Sequence, residues 1–391
     1  MNKKQLGIYV HIPFCQSKCV YCDFLSAPAD GNMKSLYIKA LLKEIRITAQ
    51  LFEKGKLNEK YCVASVFFGG GTPSILDSAL IEMVLDYLFT HFTFAEHSEI
   101  TIECNPGTLT LQKARNYKRM GINRISFGLQ SADDTELKML GRIHDYKKFL
   151  ESYENARNQG FDNINVDIMS ALPGQTMKSY MDTLNKVTGI KPDHISAYSL
   201  IVEENTPLYD NIKRYPKLPD EDTERRMYYE TEYMLERNGY KHYEISNYAK
   251  SGKVCIHNLS YWERKDYLGF GLGASSLFEE CRYTNISDIN RYISFIYKDD
   301  KLMLPGIRAE INHLTKNEQM EEFMFLGLRK MDGIDIKEFS RCFGCNIDDV
   351  YGRVIERNTE RKLLKRSAGR IWLTDRGVDV SNVVMSEFLL S

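Results

Sequence analysis

Three cysteines fall within eight consecutive residues, as Cys15-x-x-x-Cys19-x-x-Cys22. Thiolates are soft ligands that suit iron–sulfur clusters or zinc. Three of them on one short loop hold three corners of a cube of iron and sulfide and leave the fourth iron without a protein donor. The amino and carboxylate groups of S-adenosylmethionine (SAM) can chelate that open iron, and one electron from the reduced cluster then cleaves the sulfonium. The competing account is structural zinc, completed by His11, Asp23 or a distant cysteine. Structural zinc normally wants two paired ligand sets, and the other close pair, Cys342-x-x-Cys345, sits far away near the C-terminus.

The elements that must position this loop are legible from periodicity. β-rich runs at Gly7–Ile12, Val63–Phe68, Glu99–Glu103, Arg124–Gln130, Asn163–Met169 and His194–Leu200 alternate with helical patterns. The helical patterns fall at Leu36–Ile47, Ala79–Phe89, Leu111–Met120, Tyr146–Asn158 and Ser179–Val187. Such alternation predicts βα units around a parallel sheet, here six of them, as a partial (β/α)6 barrel. Chemistry in such sheets sits outside the carboxyl ends of the strands. Those ends read Gly69-Gly70-Gly71-Thr72, Glu103-Cys104-Asn105 and Gln130-Ser131. Glycines there let backbone approach a ligand closely. Carboxylates and amides suit ribose hydroxyls or an amino group, and Arg142 suits a carboxylate.

Residues 203–300 are irregular and rich in Tyr and Asn, and read as an extension packed on the barrel. Beyond them come helical patterns at Met320–Met331, Ile334–Phe343 and Ile347–Asn358, then a hairpin over Leu363–Thr374. This is a winged-helix-like α+β pattern. The expected divisions are a barrel at 1–240, an extension at 241–308 and a C-terminal domain at 309–391.

The 391 residues exceed what one core usually serves, and a net charge of −1 gives no overall pull toward nucleic acid. The C-terminal run Arg353, Arg357, Arg361, Lys362, Lys365, Arg366, Arg370 and Arg376 is interleaved with acids and reads as a solvated face. No nucleic-acid partner is expected. The first apolar stretch, Leu6–Val10, is too short for a signal peptide, so the expected compartment is the cytoplasm. Nine cysteines, an odd number, argue against a disulfide framework, and Cys342 and Cys345 read as free buried thiols.

Tyr9-Val10-His11-Ile12-Pro13-Phe14-Cys15, the cysteine triad and Tyr21-Cys22-Asp23-Phe24 resemble the oxygen-independent coproporphyrinogen III oxidases of the radical SAM superfamily, and within them most closely the HemW-type haem chaperones. The resemblance runs over essentially the whole chain. It implies a [4Fe–4S] cluster on Cys15, Cys19 and Cys22, with SAM held by Tyr9, Tyr21, Gly70, Gly71, Thr72, Glu103, Gln130, Arg142 and Asp167. Where the true oxidases carry a further cysteine, two positions after the third, this chain has Phe24. That departure counts against coproporphyrinogen decarboxylation. His257-Asn258-Leu259-Ser260-Tyr261-Trp262 matches the HNxxYW haem motif of the chaperone group. It implies haem as a third cofactor, with His257 as a ligand of its iron and Asn258, Tyr261 and Trp262 around the macrocycle. The partners implied are a haem-acceptor protein, such as membrane respiratory haem proteins, and a reductase or flavodoxin-type electron donor, with a homodimer as the assembly and a peripheral place at the membrane.

Overall fold

The computed structural model describes residues 3–390. Its centre is six parallel strands in sequence order: β1 (Lys4–Ile12), β2 (Tyr61–Gly70), β3 (Phe94–Cys104), β4 (Arg124–Gln130), β5 (Ile164–Ser170) and β6 (His194–Ser199). The helices between them, Gly31–Lys54, Ser78–His91, Leu111–Arg119, Tyr146–Asn158 and Met177–Gly189, start at side-chain caps from Asp30, Asp77, Thr110, Asp145 and Thr176. Each cap satisfies an amide that the first helical turn would leave orphaned. The helix faces predicted from periodicity are the buried ones, with Tyr37, Ile38, Leu41 and Ile45 of the first helix in the main core.

The partial barrel stays open and is part of a twelve-stranded mixed sheet. The segment that reads as irregular supplies its flanks. On one side β7 (Lys241–Glu244) and β8 (Asn247–Ala249) form a hairpin antiparallel to β6. On the other, β9 (Tyr267–Phe270) runs parallel to β1, followed by antiparallel β10 (Ser275–Phe278), β11 (Cys281–Asn285) and β12 (Arg308–His313). These strands are three to six residues long, too short for a period-2 signal to stand out.

Side chains alternate across the sheet. On β1, Ile8, Val10 and Ile12 pack outward in the core, and on β3 so do Ile100 and Ile102. The intervening positions point into the barrel and are polar: Ser65, Glu99, Glu103, Arg124, Ser126, Asn165, Asp167, His194 and Ser196. A second core holds the C-terminal domain, with helices Lys316–Gly327, Ile336–Phe343 and Ile347–Glu360 beside a small sheet of β13 (Ile334–Asp335), β14 (Leu364–Ser367) and β15 (Arg370–Leu373). Four members of its basic run are ion-paired: Arg357 and Arg361 to Glu387, Arg366 to Asp348, and Arg370 to Asp332. Among the described residues no helix is long and apolar enough to cross a membrane.

Candidate functional site

The cysteine loop leaves β1 and is pinned at both ends. Cys15 N–H donates to Ala27 O at 3.2 Å and Ala27 N–H to Pro13 O at 3.0 Å, while Val20 N–H reaches Leu140 O at 3.1 Å. His11 Nε2 lies 2.9 Å from Leu25 O. All three cysteines are half-buried, and their sulfurs border one cavity of about 350 Å³ at the carboxyl ends of the strands.

Gly70 and Gly71 border the loop. Gly70 has φ +115°, and a Cβ there would sit 2.7 Å from the His11 ring. A Cβ on Gly71 would meet the Phe14 carbonyl oxygen at 2.7 Å and Cys15 Sγ at 3.0 Å. The glycines thus let the second strand end lie against the cysteine loop. Gly71 N–H and Thr72 N–H tie the two by donating to Ile12 O at 2.9 Å and Phe14 O at 2.8 Å. Thr72 Oγ1 lies 3.5 Å from Cys15 Sγ.

Glu103, Gln130, Arg142, Asp167 and Tyr21 all line the same cavity. Glu103 Oε2 accepts from Gly70 N–H at 3.2 Å; burial, with Asp167 nearby, pushes its carboxyl up to about 8. Burial also raises Asp167, which Asn165 holds with a bond of 2.7 Å. Arg142 donates to Asn105 Oδ1 at 2.9 Å, to Cys19 Sγ at 3.4 Å and to the Gly128 carbonyl. Asn105 then donates to Thr72 Oγ1 at 2.8 Å, which links the arginine to the glycine turn. The sequence reading did not select Asn105. Its signal was its place two residues after Glu103, on the same face of a strand end. Phe24, 64% exposed, and Ile201, 69% exposed, form an apolar rim over the cavity.

Tyr9 is placed elsewhere. It lies inside the barrel between Phe67 and His257, with its hydroxyl 3.1 Å from His11 Nδ1, and does not border the cavity. Strand alternation explains this: Tyr9 points inward, but three residues below the strand end.

The residues present fit the expected group. Among the described residues no three His, Cys, Asp or Glu side chains converge on a point for a single ion, as tetrahedral zinc would require. Three sulfurs spread around a cavity suit a larger cubane. Arg142, fully desolvated beside Cys19 and held charged, places a cation next to a thiolate ligand and within reach of a bound carboxylate. A bound [4Fe–4S] cluster with SAM on its open iron supplies one-electron cleavage of a sulfonium bond. Cys15, Cys19 and Cys22 would hold the cluster. Gly70–Thr72, Glu103, Gln130, Arg142 and Asp167 would orient SAM.

The HNxxYW segment forms helix Ile256–Trp262 at the opposite end of the barrel. Glu99 caps it, accepting from Ile256 N–H at 3.0 Å, His257 N–H at 3.1 Å and the Cys255 thiol at 3.5 Å. His257 is buried. Its Nδ1 lies 2.9 Å from Ser65 Oγ and its Nε2 2.8 Å from the Tyr261 hydroxyl. Burial and the Arg124 charge lower its basicity to about 3, so the ring is neutral. Both ring nitrogens have protein partners, so ligation of haem iron by His257 would require one of these bonds to open. The four motif residues also diverge. Asn258 borders a polar chamber of about 200 Å³ inside the barrel, Tyr261 packs on Tyr267 and Leu277, and Trp262 faces the C-terminal domain. Cys342 likewise departs from the sequence reading. It is exposed, because it lies off the Phe339/Phe343 face of its helix, while Cys345 packs against the C-terminal core.

Fold and cavity together define a radical SAM protein, and the sequence agrees: it matches the radical SAM superfamily over residues 9–187 and the HemN C-terminal domain over residues 314–380. The chain is 35% identical to the heme chaperone HemW of Lactococcus lactis, covering 100% of this chain and 99% of that one. It is also 35% identical to that of Bacillus subtilis, covering 97% and 98%. The coproporphyrinogen III oxidase HemN of Escherichia coli has the same fold, with a TM-score of 0.84 at 23% identity over 99% of this chain and 90% of that one. The chain belongs to the HemW family.

Proposed function

We propose that this protein binds haem and passes it to an acceptor haem protein, using a [4Fe–4S] cluster and SAM held at the open end of its barrel. The observation that carries this reading is the cysteine loop. It provides three sulfurs on one cavity, with a phenylalanine on the apolar rim where the true oxidases place a further cysteine. The names of the full-length relatives support the haem part of the reading. An apolar rim above a redox cluster suits transfer of a flat, apolar cargo better than binding of a tetracarboxylate. On this reading the cargo leaves to a respiratory haem protein at the membrane, a flavodoxin-type donor reduces the cluster, and the protein works from the cytoplasm.

Anaerobic reconstitution followed by haem titration, with and without SAM, tests this directly. One tightly bound haem per chain that moves to an apo-acceptor is the expected outcome. Sustained formation of protoporphyrinogen from coproporphyrinogen III, without stable haem binding, would reverse the reading in favour of the oxidase.

A further inference from the structure

Between the cluster cavity and the barrel floor formed by helix Ile256–Trp262 lies the polar chamber that Asn258 borders. The cysteine loop does not reach it, while Glu103, Ser126, Asp167 and Tyr198 are walls shared with the cluster cavity. Its 200 Å³ has room for about six water molecules or one small organic molecule. Tyr198, 39% exposed at the end of β6, stands at the passage between the two.

The charged groups of this chamber do not pair with one another. Arg124 is 2% exposed, yet its Nε has no hydrogen-bond partner. Burial opposes its charge, and neighbours that include Glu99 and Asp167 preserve it through space, without a hydrogen bond. An unpartnered guanidinium at such depth is costly, and an acceptor in the chamber would remove that cost. Strand register sets the other groups above it. Thr101 lies beside Arg124, Glu103 beside Ser126 and Asp167 beside Gly128. The two carboxyls thus stand one and two inward-facing layers above Arg124, with each layer about 6.6 Å along the strand. Burial raises both of them, and their donors are neutral: Gly70 N–H on Glu103, Asn165 and Ser126 on Asp167. A simple anion in the chamber would meet Asp167, and a simple cation would meet Arg124. A molecule that carries a carboxylate at one end and an ammonium at the other satisfies both.

We infer that the chamber binds a small amino acid, with its carboxylate on Arg124 and its ammonium toward Glu103 and Asp167. Asn258 then has a place in the HNxxYW segment as a polar wall of this site, one residue beyond the buried His257. The site lies on the floor side of the carboxyls that would orient SAM, so a bound amino acid is a neighbour of SAM inside the barrel. It goes beyond the haem-carrying reading and stands independently of it.

The test uses the full chain with its cluster reconstituted anaerobically and SAM at saturation, so that the open iron is occupied. Radiolabelled glycine, β-alanine and γ-aminobutyrate, which differ in the distance between their charges, are measured by equilibrium dialysis beside acetate and methylammonium. One of the three amino acids should bind once per chain, about tenfold or more tighter than either single-charge probe. Arg124→Gln should lose that preference. Because a change at Arg124 also touches the surroundings of Glu99, Asn258→Phe serves as a second variant that fills the chamber and leaves its charges in place. It should weaken the amino acid about tenfold or more while iron content stays normal. Binding that SAM displaces would belong to the open iron, and would overturn the site. So would acetate bound as tightly as the amino acids, full binding in Asn258→Phe, or no binding of any amino acid, which would leave the chamber to water. A chain that binds the amino acid but no haem would overturn the haem-carrying reading and leave this site standing.

Discussion

At the carboxyl ends of β1–β6, Cys15, Cys19, Cys22, Glu103 and Asp167 face a cavity. At the other end, Glu99, His194 and His257 face neighbours within bonding distance. Glu99 takes three donors, His194 sits between Asn165 at 2.6 Å and Tyr243 at 2.8 Å, and His257 between Ser65 and Tyr261. Polar and charged side chains line the barrel at both ends, so residue type does not distinguish a binding end from a structural end. What differs is whether the donors and acceptors are already used. At the floor, Glu99 takes three donors. At the mouth, Glu103 accepts from Gly70 N–H alone, and burial with Asp167 nearby raises its carboxyl to about 8.

The largest effect should come from the cysteine loop. Replacing any of Cys15, Cys19 or Cys22 by alanine removes one of three corner ligands, and two sulfurs do not hold a cubane. Iron content and cluster absorbance after anaerobic reconstitution should fall to background, with the circular dichroism of the fold retained. A variant that still carried four irons would show that a protein group outside the loop serves as a ligand.

Next comes the floor, where the effect falls on stability and leaves cluster ligation alone. Glu99→Gln keeps one acceptor for the two helix amides but removes the charge. Arg124, fully buried with its Nε unpartnered, then loses a nearby anion. Charged hydrogen bonds of this kind are worth about 1.5–3 kcal/mol, so denaturant unfolding should report a loss of that order while iron loading stays normal. Unchanged stability would mean that helix Ile256–Trp262 is not anchored by its cap.

The same contrast explains what was legible in the sequence. The six parallel strands and their helices could be read because long segments repeat their period, and each helix opens with a capping residue. The grouping of Cys15, Cys19 and Cys22 on one cavity was legible because all three sit in one loop. The short flanking strands escaped notice because three to six residues carry little periodicity. The surroundings of His257 were hidden for a different reason. A motif fixes residue type and spacing, but whether an imidazole nitrogen is free depends on Ser65 and Tyr261, contributed from a distant strand and the next helical turn. Asn105 escaped because its role lies in bridging Arg142 and Thr72, two residues that only the fold brings together.

A smaller and pH-dependent effect belongs to Glu103. Its folded-state carboxyl titrates near 8, against about 4.3 for an unfolded one. The folded state therefore holds a proton that the unfolded chain has released, and stability falls as pH rises between those values. Glu103→Gln abolishes this contribution. The wild type should lose a few degrees of melting temperature relative to Glu103→Gln between pH 6 and pH 9, and the difference between the two proteins cancels the similar term from buried Glu44, raised to about 7. Parallel melting curves would mean that Glu103 is ionised across this range and better solvated than its place on the cavity wall implies.

The smallest effect should fall on the C-terminal wing, where charges are paired as they are at the floor, but in water. Arg366 donates to both oxygens of Asp348, at 2.5 Å and 2.8 Å, with each side chain more than a third exposed. Solvent screens such a pair and leaves it about 0–1 kcal/mol. Arg366→Ala should therefore change stability by less than Glu99→Gln does, even though Arg366 makes a two-bond ion pair and Glu99 makes none among the described residues. Burial, more than bond count, sets the scale of an electrostatic contact in this chain. An Arg366→Ala variant destabilised as strongly as Glu99→Gln would break that ordering.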